Sequence, residues 1–166
     1  MNYFELFDIP ISFNPDKNKL QQQFYMLSKK YHPDFYSLHS DEEKAIALEQ
    51  SSHINIAYKT LVDNDAVLKY ILQLKGLIKE NEKYILSPDF LMEMMELNEQ
   101  LTESDKEQIS DFGFRISNLQ KDIYAPIKQI VENYKEGVTT EKELLQVKDY
   151  YYKKKYLARI LEGIER

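Results

Sequence analysis

The chain has 166 residues, 43% of them hydrophobic and 30% charged, a size and balance that suit one globular domain or two small ones and exclude a disordered chain. Its net charge of −6 argues against a general nucleic-acid binder, because phosphate affinity needs a basic face. The absence of cysteine excludes disulfides, thiolate catalysis and sulphur-ligated metal sites.

Only four glycines and five prolines, against many Leu, Lys, Glu, Gln and Tyr, predict an all-α protein, and no run reads as a strand. No stretch approaches the ~20 apolar residues of a membrane span. Met1 leads straight into the first predicted helix, so a soluble cytoplasmic protein without a membrane partner is expected.

Asn2 caps a short first helix that ends before Pro10 and buries Phe4, Leu6 and Phe7. Asn14 and Pro15, a cap followed by a first-turn proline, open the second helix. Along it Leu20, Phe24, Leu27 and Tyr31 recur at helical spacing as one apolar stripe, with Lys17, Lys19, Lys29 and Lys30 away from it. Pro33 biases His32 away from the α region, so this helix ends by Tyr31 and His32, Pro33 and Asp34 fall in a loop. Because the proline fixes φ near about −65°, the imidazole and carboxylate have little freedom left to lose on binding, which suits recognition of a partner.

Ser40-Asp41-Glu42-Glu43 reads as a capping box opening a third helix, with the stripe Ala47, Ser51, Ile54, Tyr58 and Leu61. Two antiparallel helices are thus joined by an exposed tripeptide. The third helix runs to about Val62, and Asp63-Asn64-Asp65 interrupts it and caps a further helix through Lys75, ended by Gly76. Standing alone, a His-Pro-Asp tripeptide is an ordinary turn. A metal reading of His32, Asp34, His39 and His53 lacks any i, i+4 histidine pair on a helix, so no metal site is expected.

Ser87-Pro88-Asp89 opens the next helix, on which Phe90, Met94, Leu97 and Leu101 form a sufficient core stripe. Leu91, Met92 and Met95 lie on an adjacent face that Glu96, Glu99 and Glu103 continue, leaving a surface half apolar and half acidic. Methionine adapts its shape to a partner; the blander alternative is a wide buried stripe. Ser104-Asp105-Lys106-Glu107 reads as another capping box, opening a long helix to about Glu136 that Pro126 kinks or divides. Thr140-Glu141-Lys142-Glu143 opens the last helix, and three helices with short loops make a bundle. The cluster from Lys148 to Lys155, with its interleaved tyrosines, is the one basic stretch, and acidic residues elsewhere outnumber it.

The opening Asn2-Tyr3-Phe4-Glu5-Leu6-Phe7, the helix end Lys29-Lys30-Tyr31-His32-Pro33-Asp34 and the segment from Ile54 to Leu61 together resemble the J-domain of co-chaperones that act on DnaK-type ATPases. The stretch from Val67 to Gly76, and the run from Phe90 to Leu101, are similar to those of one branch, the HscB-type co-chaperones of iron–sulphur cluster assembly. The resemblance implies a J-domain over residues 1–75, a connection over 76–86 and a scaffold-binding three-helix bundle over 87–166. It implies a co-chaperone and not an enzyme, with no cofactor and no small-molecule substrate. Such a protein stimulates a DnaK/HscA-type ATPase chaperone and delivers an IscU-type iron–sulphur scaffold protein to it.

Carried over by position, His32, Pro33, Asp34, Lys29 and Lys30 meet the ATPase; Lys17 and Lys19 suit that role or a solvated face equally. Leu91, Met92, Met95, Glu96, Glu99 and Glu103 meet the scaffold protein, joined by Tyr152, chosen from three consecutive tyrosines to stand for the family's phenylalanine. One departure stands out: the residue after the aspartate is usually basic in J-domains and here is Phe35. With Gln21, Gln22 and Gln23 also reducing the positive charge, modest affinity for the ATPase is expected. The rival readings are a J-protein with another client and a metal-dependent hydrolase using the histidines and aspartates.

Overall fold

The computed structural model describes residues 1–165, without the side chains of Lys106, Asp111, Ile164 and Glu165. Among these residues the secondary structure is helical throughout, as the composition predicts. The chain divides into two compact units, Met1–Ile71 and a second from Leu72 onward.

In the first unit, α1 (Tyr3–Leu6) is one turn closed by a reciprocal cap: Glu5 N–H donates to the Asn2 side chain, and Asn2 N–H to the Glu5 carboxylate. α2 (Lys17–Lys30) and α3 (Asp41–Val62) pair as the expected hairpin, and α4 (Asn64–Leu74) follows. Aromatic contacts tie the pieces together. The Phe24 ring stacks on Tyr58 at 4.1 Å, Phe7 meets the same ring edge-on at 6.5 Å, and Tyr3 stacks on Tyr70 of α4 at 4.3 Å. Phe4, Leu20, Ile54, Ala57 and Leu61 are all but fully buried.

The start of α2 differs from the expectation. Its cap is Asp16, not Asn14, because the Asp16 carboxylate accepts from both Asn18 N–H (3.0 Å) and Lys19 N–H (3.2 Å) while Pro15 lies buried ahead of the helix. Asp16→Ala is therefore expected to lower stability by about 1 kcal/mol, measured as a reduced urea midpoint, whereas Asn14→Ala leaves the α2 cap intact. Ser40 caps α3 as predicted, but the Glu43 carboxylate turns to His39, so only half of the box forms. Asp63 caps α4 through Asp65 and Ala66 N–H.

In the second unit, α4 finishes at Leu74, one residue short of the expectation, in a glycine turn. Gly76 adopts φ +70°, its N–H donates to Gln73 O (3.0 Å), and Leu77 N–H reaches back to Leu72 O (2.9 Å). α5 (Pro88–Glu103) is capped by Ser87 and buries Phe90, Met94, Leu97 and Leu101 in one cluster with Leu86, Leu119 and Leu157.

The long helix expected to reach about Glu136, kinked or divided at Pro126, is in three helical pieces and a turn: α6 (Lys106–Asp111), α7 (Gly113–Tyr124), a 3-10 turn (Ala125–Ile127) and α8 (Lys128–Glu132). Pro126 makes the predicted division; the further break at Phe112 had no proline to announce it. The cap is also shifted by one. Asp105 pairs with Gln108 in the reciprocal box, while the Ser104 hydroxyl is already spent on Gln100 O of α5. α9 (Glu141–Glu165) opens with the predicted Thr140–Glu143 box and packs against both α5 and α7, completing the three-helix bundle.

Candidate functional site

Two surfaces carry the predicted residues, one in each unit. In the first, α2 stops at Lys30, and the tripeptide opens a 3-10 turn, Pro33–Tyr36, with His32 as its cap. Asp34 N–H donates to His32 Nδ1 at 3.2 Å and Phe35 N–H to His32 O at 3.0 Å, while the Tyr36 hydroxyl donates to Lys30 O at 3.3 Å. The turn is thereby pinned to the end of α2 from both sides. Because Nδ1 accepts, the proton of the neutral ring sits on Nε2, free to donate to a partner.

The Asp34 side chain is 89% exposed and that of His32 53%, with Nδ1 and the carboxylate 3.5 Å apart. Lys29 and Lys30 are exposed beside them, Lys30 lying 5.2 Å over the Tyr31 ring. Phe35 is 61% exposed and stands edge-on to His32 at 6.3 Å, so the position after Asp34 presents an aromatic ring and no positive charge. Lys17 and Lys19 are exposed at the other end of α2, roughly 17 Å of helix from the loop, and are not brought to it.

In the second unit, α5 has three kinds of surface. Phe90, Met94, Leu97 and Leu101 face the core, and Leu91 is half-buried against it. Met92 and Met95 are 67% and 59% exposed, against 1% for Met94 between them, and Glu96, Glu99 and Glu103 continue their exposed face. Helical spacing puts all five on one side of the helix. A cleft of about 610 Å³ opens beside this face, lined by Met95, Asn98 and Thr102 of α5, Ile109 of α6, and Tyr156 and Arg159 of α9.

The three consecutive tyrosines have different partners. Tyr150 is buried with its ring edge-on to Tyr124, Tyr151 lies under Lys155, and Tyr152 packs against the same core cluster as Leu91. Tyr152 is also engaged in a way the sequence did not indicate. Its hydroxyl donates to the Glu82 carboxylate at 3.1 Å and its ring stacks flat on Tyr84 at 4.5 Å. Loss of solvent, then that bond, pushes its hydroxyl up to about 12. The same carboxylate bonds Lys148 at 2.7 Å, which holds Glu82 below the usual carboxylate range.

Lys153 pairs with Asp149 at 2.9 Å. Two lysines of the basic stretch on α9 are thus matched by carboxylates and present no bare positive strip. Among the described residues no three His, Asp or Glu side chains converge in a metal-holding group, and His39 and His53 are engaged separately, with Glu43 and the Tyr3 ring. No described helix is long and apolar enough to cross a membrane.

Comparison with known proteins identifies the family and the fold. Residues 86–165 match the family described as the HSCB C-terminal oligomerisation domain. The co-chaperone protein HscB homolog of Vibrio cholerae is 34% identical over 172 residues, covering 100% of this chain and 96% of the relative. That of Aliivibrio salmonicida is 35% identical over 139 residues, 80% of this chain and 81% of the relative.

Two solved structures share the fold. The chaperone HscB from Vibrio cholerae superposes with a TM-score of 0.74 at 34% identity, covering 100% of this chain and 96% of its own. The crystal structure of the human co-chaperone HscB superposes with a TM-score of 0.80 at 30% identity, covering 99% and 81%. Sequence identity and fold along its whole length place the chain in the HscB family of co-chaperones, proteins that assist a chaperone and are not themselves enzymes.

Proposed function

We propose that this protein stimulates the ATPase of a DnaK/HscA-type chaperone and delivers to it an IscU-type iron–sulphur scaffold protein, in the cytoplasm. The observation that carries the reading is the split on α5. A helix whose core positions are already filled leaves Met92 and Met95 in solvent beside three carboxylates. Exposed methionine next to acid is a costly surface for a protein to keep unless a partner covers it. Burying a methionine side chain fully is worth about 1.5–3 kcal/mol, enough for two of them to anchor an interface of modest affinity.

The first unit supports the other half of the reading. His32 and Asp34 are exposed yet held by backbone hydrogen bonds, so docking them on the ATPase freezes little motion. Lys29 and Lys30 add charge complementary to an acidic surface. Two modest affinities on one chain raise the local concentration of client at the motor, and differential binding biases the motor's conformational equilibrium toward hydrolysis.

The test is the single-turnover ATPase rate of a DnaK-type chaperone with and without this protein, with scaffold protein added in a parallel series. Stimulation that grows further with scaffold is expected. Stimulation indifferent to the scaffold removes that client from the reading, and no stimulation at all removes the chaperone.

A further inference from the structure

Just before α5, residues 82, 84 and 86 each make contact with the bundle, while 83, 85 and 87 are exposed. Glu82 bonds Lys148 (2.7 Å) and receives the Tyr152 hydroxyl (3.1 Å). The Tyr84 ring covers one face of Tyr152, centroids 4.5 Å apart and planes 10° from parallel, and its hydroxyl donates to Asp149 at 2.8 Å. Lys148 sits 5.4 Å over the Tyr84 ring, and Leu86 enters the core cluster. The spacing of two is that of an extended chain presenting alternate side chains to one surface.

From this we infer that Glu82 and Tyr84 are positioning residues of the scaffold-binding face: together they fix the ring of Tyr152 in one orientation. The inference rests on the reading of Tyr152 and the α5 face as the scaffold contact. Tyr84 stacks on one face of Tyr152 and the Tyr151 ring stands at 75° to it at 5.1 Å, so the partner meets the part of the ring that these two neighbours leave open. An aromatic side chain already held in place loses less freedom on binding, so its contact yields more net affinity. The Tyr152 hydroxyl, donating to Glu82, is occupied within the protein; what it contributes to the partner is the placement of the ring.

The test is the dissociation constant of the full chain for an IscU-type scaffold protein, measured by calorimetry beside the melting temperature of each variant. Glu82→Ala and Tyr84→Ala are each expected to weaken binding about tenfold, as loss of support for an interface anchor does. Tyr84→Phe keeps the stacked ring and is expected to restore nearly all of the affinity lost in Tyr84→Ala. Glu80→Gln, in the same segment, serves as the control and binds like the unaltered protein.

The decisive arm is the pair cycle. If Glu82 acts through the hydroxyl, Glu82→Ala costs little once Tyr152→Phe is present; a merely structural role gives additive losses and overturns the inference. Should Glu82→Ala fail to fold, Glu82→Met, which keeps the length of the side chain but offers the hydroxyl no oxygen acceptor, takes its place in the cycle. Variants that bind as tightly as the unaltered protein refute the positioning role alone. An unaltered protein that does not bind scaffold refutes the parent reading and this one with it.

Discussion

Replacing His32 with glutamine is expected to bring chaperone stimulation down to the basal rate while changing unfolding stability by no more than about 0.5 kcal/mol. The side chain is more than half exposed and makes a local hydrogen bond, accepting at Nδ1 from Asp34 N–H. Its loss leaves a solvated amide with water in reach, which costs little. Glutamine retains bulk and polarity but not the rigid ring with Nε2 held outward by the engaged Nδ1. A folded variant with normal stimulation would show that the role given to His32 is wrong. A variant that melts early would show instead that the turn holds the hairpin together.

The second large effect is expected on α5. Met92→Ala combined with Met95→Ala should weaken scaffold binding by about ten- to a hundredfold, the scale on which interface anchors are lost. The melting temperature should stay close to that of the unaltered protein, since the two side chains are 67% and 59% exposed. Met94→Ala provides the contrast on the same helix. That side chain is 1% exposed in the core cluster, and its removal is expected to cost about 2–5 kcal/mol, read in a urea melt. A double variant that behaved like Met94→Ala would mean that the exposed methionines belong to the core.

Periodicity made the core stripes legible. Leu20 on α2, Ala47, Ile54 and Leu61 on α3, and all four stripe residues of α5 are buried, because a helix has one direction in which to hide apolar side chains. Capping chemistry was legible to within a residue or two. It erred where neighbours compete: Asp16 displaces Asn14 by accepting two N–H groups, and Asp105 displaces Ser104, whose hydroxyl turns back to α5. The break at Phe112 has no local signal, since a lone Gly113 in a helical pattern is tolerated.

The hydrogen-bonded turn around His32 could be placed from Pro33 alone. The orientation of Tyr152 could not, because Glu82 lies 70 residues away in sequence and the inward-facing residues of its segment, Glu82, Tyr84 and Leu86, share no hydropathy that would mark them. Only the fold brings Glu82 and Tyr84 to α9.

That attachment decides where the bundle can be cut free. A fragment starting at Pro88 keeps every helix of the bundle, yet it loses Leu86 from the core and leaves Lys148, whose side chain is 12% exposed, without its carboxylate. The family match itself begins at residue 86, inside this packed body. The smallest portable piece therefore starts near Leu72, with the connector travelling as part of the bundle and not as a tether to be trimmed.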